Sequence, residues 1–133
     1  MKTLALYYSR GGHTKKYAEA LGAEAVLELV PTRRVGILKA LALGCIAAAR
    51  GRAWRIEPLD VNLSDFERIV LLAPVWAGGA APPLNAALEL LPPGKTVDVR
   101  LVSAGGKSAC RERIKAKITE RGCALGSFED IKA

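Results

Sequence analysis

The sequence predicts a single α/β domain: an open parallel five-stranded sheet with helices on both faces, three layers in all. Two observations predict it. Short apolar runs rich in Val, Leu and Ile alternate along the chain with segments of helical spacing, and strands that alternate with helices form parallel sheets through right-handed crossovers. A length of 133 residues fits one domain over residues 1–133.

The first half of the chain is expected to contain two strands and two helices. Thr3–Tyr8 is an apolar and aromatic run typical of a strand buried on both faces. A helix over Lys15–Leu21 and a second strand over Ala25–Val30 follow. The apolar segment Gly36–Arg50 predicts the second helix, and its expected buried stripe comprises Ile37, Leu41, Cys45 and Ala48.

The second half is expected to contain three more strands and two more helices. The predicted strands are Arg68–Ala73, Thr96–Val102 and Cys123–Phe128. One helix begins near Pro82 or Pro83 and ends before Pro92, and the other spans about Ser108–Glu120.

Loops rich in glycine or small residues follow three of the predicted strands: Ser9–Thr14, Pro74–Gly79 and Ser103–Gly106. In an open α/β sheet the ligand site lies beyond the carboxyl ends of the strands, where the strand order reverses. We therefore expect the three loops to meet and to form the walls of one site.

The loop Ser9–Thr14 has the parts of a phosphate cradle. It offers two hydroxyls, two glycines that permit close backbone approach, and the N–H groups at the start of a helix. It matches neither GxGxxG nor GxxxxGK[ST], so dinucleotide and ATP sites of those kinds are not indicated.

The strand-loop-helix segment YYSRGGHTKKYAEAL and the later segment LLAPVWAGGAAPPLNAALELL resemble the flavodoxin-like family. The family's phosphate loop is commonly [ST]-x-T-G-x-T, which Ser9, Gly12 and Thr14 match, while Gly11 stands where threonine is usual. The resemblance extends from Lys2 to about Phe128. It implies the sheet order 2-1-3-4-5 and an FMN cofactor.

The resemblance also implies which residues bind the flavin, and it implies no catalytic residue or metal ligand. The phosphate would lie among Ser9, Arg10, Gly11, Gly12, His13 and Thr14. The isoalloxazine ring would lie along Pro74, Val75, Trp76, Ala77 and Gly78, and its other side and pyrimidine end would be bordered by Ser103, Ala104, Gly105 and Gly106. Trp76 is expected to offer a stacking surface, with ordinary packing as the alternative.

The family's fold normally ends with a helix after the fifth strand, and this sequence stops at FEDIKA. The C-terminal helix is therefore expected to be missing. In the fourth strand Thr96, Asp98 and Arg100 alternate with apolar residues, so one face of that strand is polar. We expect that face to be open, partly wet, or covered by another subunit of a homo-oligomer.

The composition bounds the partners and the cellular location. A formal net charge of +7 favours anionic ligands or partners, and Arg33, Arg34 and Lys107 are expected to form a positive rim around the site. The basic residues lack the interleaved aromatics of a nucleic-acid platform, which argues against nucleic-acid binding. Three unpaired cysteines, no signal-peptide pattern and no apolar stretch of about 20 residues predict a cytoplasmic protein without a membrane span.

The resemblance implies a redox protein that exchanges electrons with a partner protein or a small acceptor. One interpretation is an electron carrier, and a second is an NAD(P)H-dependent FMN quinone reductase. A third is a flavin-free interaction module. If flavin is bound, the basic chain should stabilise the anionic reduced flavin more than an acidic flavodoxin does.

Overall fold

The computed structural model describes residues 2–32 and 37–133. Within them lie six strands and four helices: β1 Thr3–Tyr7, α1 His13–Ala20, β2 Ala25–Glu28, α2 Ile37–Ala49, β3 Arg68–Trp76, β4 Gly79–Ala80, α3 Pro82–Glu89, β5 Thr96–Ser103, α4 Arg111–Glu120 and β6 Ala124–Lys132. The predicted residues Arg33, Arg34 and Gly36 lie outside the described residues, as do the side chains of Ile37 and Leu41.

The sheet has the predicted topology. Its strands run in the order β2-β1-β3-β5-β6 and are all parallel, and the two-residue strand β4 pairs antiparallel with the end of β3. With β4 set aside, this order is the expected 2-1-3-4-5. It places β1, β3 and β5 side by side in the middle of the sheet, so the loops that follow them are neighbours.

The main core lies on the face of the sheet that packs against α3 and α4. Alternate residues of the central strands are fully buried here, among them Leu4, Ile69 and Val97. They pack with apolar side chains of the helices such as Leu84 and Ile114. Burial of each such side chain stabilises the fold by about 1.5 to 3 kcal/mol.

The opposite face has a smaller apolar cluster under α1, made by Ala5, Tyr7, Ala18, Val70 and Leu72. Beyond this cluster, β5 and β6 carry polar side chains. Asp98 is only 4% exposed, and strand residues satisfy its carboxylate: Arg68 Nη1 donates to Oδ2 at 2.5 Å and Ser127 Oγ donates to Oδ1 at 2.9 Å. Cross-strand pairing therefore accounts for the polar alternation, and Asp98 itself is neither open nor wet.

The last strand, β6, is longer than predicted and contains a bulge. Its register with β5 shifts between Val97 and Asp98, so that Gly126 has no partner residue on β5. A side chain at Gly126 would lie 2.4 Å from Asp98 Oδ1, which is why the bulge is glycine. The strand continues past Phe128, and Glu129 forms an ion pair with Arg100 of β5 at 3.5 Å. No helix follows β6 in the described part of the chain.

Two other boundaries also differ from prediction. The helix α4 begins at Arg111 and not near Ser108, because Gly106–Cys110 continues the preceding loop. The strand β3 continues to Trp76, past Pro74. Proline is tolerated there because β1 pairs with β3 only as far as Leu72, so the absent N–H has no partner strand on that side.

Candidate functional site

A cleft of about 460 Å³ lies at the carboxyl ends of β1, β3 and β5. This volume is in the range of small-molecule sites. The three predicted loops meet in it. The cleft is lined by Ser9, Arg10, Gly11, His13, Thr14, Pro74, Val75, Trp76, Val102, Ser103, Ala104 and Ala133.

The first wall is the loop between β1 and α1. Ser9 Oγ accepts a hydrogen bond from the backbone N–H of Gly12 at 3.0 Å, and Gly12 has a φ of 89°, which favours glycine. Thr14 lies in the first turn of α1 and is 3% exposed. Its hydroxyl makes no hydrogen bond to any other described residue, although it lines the cleft.

The third wall, after β5, repeats the construction of the first. Ser103 Oγ accepts the backbone N–H groups of Gly106 at 2.9 Å and Lys107 at 3.3 Å, and Gly106 has a φ of 66°. Both loops have the sequence Ser-x-Gly-Gly, in Ser9-Arg-Gly-Gly and Ser103-Ala-Gly-Gly. The shared pattern indicates that each serine braces its own loop.

The second wall, which the sequence predicts as a loop that turns the chain, is a hairpin. Val75 and Trp76 pair with Ala80 and Gly79 in antiparallel fashion. Ala77 and Gly78 form the tip with positive φ values of 48° and 83°, as a two-residue hairpin turn requires.

Neighbouring elements fix this hairpin. The carbonyl of Gly78 accepts the N–H of Ala109 at 2.7 Å, and the carbonyl of Pro74 accepts the N–H of Ala81 at 3.0 Å. A Cβ at Gly79 would lie 1.9 Å from the carbonyl oxygen of Ala48 in α2. Contacts on both sides therefore make the second wall rigid.

Trp76 is packed more closely than a free stacking surface would be. Its ring meets Tyr8 edge-on at a centroid distance of 5.7 Å and Trp54 at 5.8 Å. A Cβ at Gly44 of α2 would lie 2.6 Å from the Trp76 ring. The Trp76 side chain therefore packs against the core on one side and lines the cleft on the other.

The charge of the cleft comes from one side chain. Arg10 is the single Lys, Arg, Asp or Glu among the described residues that line it. Arg10 is exposed and makes no ion pair with another described residue. Arg10 therefore brings a positive charge to the wall of the cleft.

Below the hairpin and the third loop lies Cys110. Burial raises the pKa of its thiol above the ordinary value, although the nearby Ser108 side chain and Ala80 backbone act in the opposite direction. The thiol therefore stays protonated at neutral pH. Neither Cys110 nor any other cysteine lines the cleft.

Sequence reasoning found most of the lining but not all of it. The predicted residues Gly12, Ala77, Gly78, Gly105 and Gly106 shape the turns and do not line the cleft. Val102 and Ala133 were missed. Val102 belongs to the polar face of β5, a position that the alternation pattern does set apart, whereas nothing in the sequence marks Ala133.

A larger cleft, of about 830 Å³, lies between residues 51–58 and the end of α3. It shares no lining residue with the first cleft, although Trp54, which lines it, contacts Trp76 at a centroid distance of 5.8 Å. Within residues 2–32 and 37–133, no cluster of three potential metal ligands occurs. No helix in those ranges is long and apolar enough to cross a membrane.

Solved structures share this architecture. A flavoprotein from Lactobacillus acidophilus NCFM in complex with FMN has a TM-score of 0.72 and 23% identity, over 96% of this chain and 91% of that chain. Oxidised flavodoxin 1 from Bacillus cereus has a TM-score of 0.59 and 16% identity, over 100% and 86%. An NADPH-quinone reductase from P. pentosaceus has a TM-score of 0.58 and 13% identity, over 99% and 85%.

No protein-family model and no curated protein sequence matches the chain. At the identities found, the similarity to solved structures establishes the fold. The protein has the flavodoxin-like fold, with a cleft at the place where that topology puts its ligand site.

Proposed function

We propose that this protein binds FMN in the cleft and serves as a flavodoxin-type electron carrier. One observation carries the proposal: Thr14, a residue only 3% exposed, lines the cleft beside the first N–H groups of α1, and its hydroxyl makes no hydrogen bond to a described residue. The hydroxyl and the N–H groups are hydrogen-bond donors that face the same space and could bind an anion together. A phosphate group is the anion that such a helix start binds most readily.

The residues of the first wall would hold the phosphate. The Thr14 hydroxyl and the unpaired N–H groups of the first turn of α1 donate hydrogen bonds, and Arg10 adds a positive charge. Ser9 contributes indirectly, because its hydroxyl is already engaged with the Gly12 N–H. Gly11 lines the cleft but offers no hydroxyl. The nearest atom to a Cβ added at Gly11 would be His13 Cδ2, at 3.8 Å.

The other two walls would enclose the flavin ring. Val75 and Trp76 line one side and Ser103 and Ala104 line the other. When bound, FMN supplies one-electron and two-electron redox chemistry. The rigid hairpin and the braced third loop then fix the ring's position and keep water from part of its surface.

Thr14→Val tests the phosphate-binding role. The variant removes one hydroxyl that donates to a charged group, so we expect FMN to bind about tenfold or more weakly, measured by quenching of flavin fluorescence during titration of the apo-protein. Thr119→Val on α4 is the matched control, because its hydroxyl bonds only the Lys115 carbonyl of the same helix. Equal FMN affinity in wild type and Thr14→Val would contradict the assignment.

A separate assay distinguishes a carrier from a reductase. A carrier should show no steady-state oxidation of NADPH in the presence of quinone, whereas a reductase should turn over. Absence of any FMN binding at micromolar concentration would instead favour the flavin-free interaction module.

A further inference from the structure

We infer that the outer face of α2, together with the basic residues beside it, binds the surface of a membrane that contains anionic lipids. The inference goes beyond the proposed electron carrier and does not depend on FMN. An interfacial helix lies in the plane of the lipid headgroups and inserts only its apolar side chains, so it needs no spanning length. We call this part of the molecule, formed by Leu43, Ile46, Arg50 and Arg113, the α2 surface.

The sequence around α2 combines an apolar helix with basic flanks. Residues 29–56 include no Asp or Glu. The helix Ile37–Ala49 is almost wholly apolar, with the sequence ILKALALGCIAAA. A cluster of about four to eight Lys or Arg residues at an amphipathic helix is typical of binding to anionic lipid headgroups. The basic residues of the segment are Arg33, Arg34, Lys39, Arg50, Arg52 and Arg55.

The described part of α2 has an inner and an outer face. On the inner face, Gly44 lies against the Trp76 ring and Ala48 is fully buried. The outer face carries Leu43 and Ile46, which are 48% and 52% exposed. Residues three apart are neighbours on a helix surface, and a helix face in contact with water ordinarily carries charged or polar side chains. The outer face instead exposes a pair of large apolar side chains.

Cations lie beside this apolar pair. The N–H of Arg50 donates to the Ile46 carbonyl at 3.2 Å, so Arg50 follows Ile46 by one helical turn and lies on the same side of the helix. The side chain of Arg113 on α4 reaches the end of α2, because a Cβ at Gly51 would lie 2.5 Å from Arg113 Cδ. Arg50 and Arg113 are exposed, and neither forms an ion pair with another described residue.

Two carboxylates lie along the segment that follows α2, and cations accompany them. Glu57 and Glu89 line the larger cleft together with Arg52 and Arg55. These four charges offset one another, so the larger cleft contributes little net charge. The attraction of anionic headgroups therefore depends on the cations of the α2 surface and on those of α4.

The helix α4 adds positive charge on the same side of the sheet. α2 contacts α3, and α3 contacts α4, so the three helices lie together. The net charge of α4 is positive, and that charge attracts anionic headgroups. The charged residues of α4 are Arg111, Arg113, Lys115 and Lys117, against Glu112 and Glu120.

A membrane fits the α2 surface better than a second copy of the chain or a nucleic acid. A second copy docked face to face would place Arg50 of each chain near the other, and like charges in contact are unfavourable. A stable dimer also buries roughly 800 Å² on each partner, far more than two half-exposed aliphatic side chains supply. A nucleic acid would use the cations but leave Leu43 and Ile46 in water. Anionic headgroups beside acyl chains satisfy both.

The α2 surface lies behind one wall of the first cleft. Trp76 lines that cleft and contacts Gly44 on the inner face of α2. The α-helix, about 10 Å across, therefore separates the α2 surface from the cleft. A docked protein holds its cleft close to the lipid.

Sedimentation with vesicles tests the binding. The apo-protein is mixed with vesicles of phosphatidylcholine alone or of phosphatidylcholine with about 30% phosphatidylglycerol. We expect binding to the anionic vesicles and not to the neutral ones, and an increase in salt from about 0.05 to about 0.5 M should weaken it about tenfold or more. Because the apo-protein is used, the result does not depend on FMN binding. Absence of binding to anionic vesicles at low salt would overturn the inference.

Paired variants locate the contact. Ile46→Asp should weaken binding to the anionic vesicles about tenfold or more, because it removes an inserted apolar side chain and adds a charge that the lipids repel. Leu21→Asp is its matched control, since Leu21 is 42% exposed at the end of α1, on the opposite face of the sheet. Arg50→Glu and Lys16→Glu form a second pair with equal changes in charge, because Lys16 is an exposed residue of α1. Each control should weaken binding by less than about twofold. Equal losses within either pair would overturn the assignment to α2.

A fluorescent label reports insertion without a variant that weakens binding. An environment-sensitive dye is attached to Ile46→Cys or to Leu21→Cys, each combined with Cys45→Ala, because Cys110 and Cys123 are buried. On anionic vesicles the emission of the dye at position 46 should shift to the blue, and that of the dye at position 21 should not. No shift at position 46 would overturn the inference. So would a shift that follows protein concentration without vesicles, since it would identify a second copy as the occupant.

Discussion

Individual hydrogen bonds define the walls of the cleft. Ser9 and Ser103 each accept the N–H three residues further along and so close a Ser-x-Gly-Gly loop. The sequence could identify these loops, because glycine and serine after a strand are direct signals of a turn. It could not identify the packing of Trp76, because contacts with Tyr8, Trp54 and Gly44 depend on elements distant in the chain.

Glu24 gives a prediction about pH. Its carboxylate accepts the Thr3 N–H at 2.6 Å, and this hydrogen bond is the main reason that the pKa of Glu24 is below its ordinary value. A lowered pKa stabilises the fold above the ordinary value of about 4.3, and this stabilisation is lost as the pH falls through the folded-state pKa. Glu24→Gln should therefore have a lower urea midpoint than wild type at neutral pH, and the gap should narrow as the pH falls below the ordinary pKa of glutamate. A gap of equal size above and below that pKa would refute this origin.

The cysteines should differ in reactivity. Cys110 is buried and its thiol has a raised pKa, so the reactive thiolate is scarce and shielded. Cys45 is only half-buried. Under native conditions iodoacetamide should modify Cys45 first and Cys110 only when the protein unfolds, as measured by mass spectrometry of peptides. Equally fast modification of both would contradict this order.

The strands and helices follow from the sequence pattern more closely than their ends do. The run from Arg68 predicts β3 with its end at Ala73, but pairing with β5 continues to Pro74 and pairing with β4 carries the strand on to Trp76. Likewise the last strand is predicted to end near Phe128, yet the charged residues Glu129 and Asp130 are tolerated on β6 because it is an edge strand. Where a strand ends depends on which strands lie beside it in the sheet, and a single sequence does not show which strands these are.

The hairpin of β3 and β4 can be tested through Gly79. Gly79→Ala would place a Cβ 1.9 Å from the Ala48 carbonyl oxygen. Because a backbone atom cannot move aside easily, we expect a loss of about 2 to 4 kcal/mol in the free energy of unfolding, measured by urea denaturation. Gly105→Ala is the control, since nothing lies within 4 Å of its added Cβ. Similar stabilities for the two variants would disprove the close approach of α2 to β4.

For the whole molecule, the strand order converts three separate loops into one cleft. The registers Tyr7 with Leu72 and Leu72 with Arg100 set the ends of β1, β3 and β5 beside one another. The order was predicted by resemblance to a known family, and the alternation of strands and helices by itself gives only a parallel sheet. The site could be located because open α/β sheets bind ligands at this edge.

The positive charge of Arg10 leads to a prediction about redox potential. A cation roughly 8 Å from an anionic flavin, in a medium of dielectric constant about 40, stabilises it by about 1 kcal/mol. Arg10→Gln should therefore make the potential of the second electron more negative by about 45 mV in an anaerobic titration. Lys117→Gln, on the exposed last turn of α4, is the control and should leave it unchanged. An unchanged or less negative potential in Arg10→Gln would contradict the predicted field.

The most direct test of FMN binding compares FMN with riboflavin, which lacks the phosphate. Both are titrated into the apo-protein, and binding is followed by quenching of flavin fluorescence. If the loop from Ser9 to Thr14 holds the phosphate, FMN should bind about a hundredfold or more tightly than riboflavin, since at least two hydrogen bonds to a charged group are lost. Equal affinities, or no binding of FMN at micromolar concentration, would contradict the account.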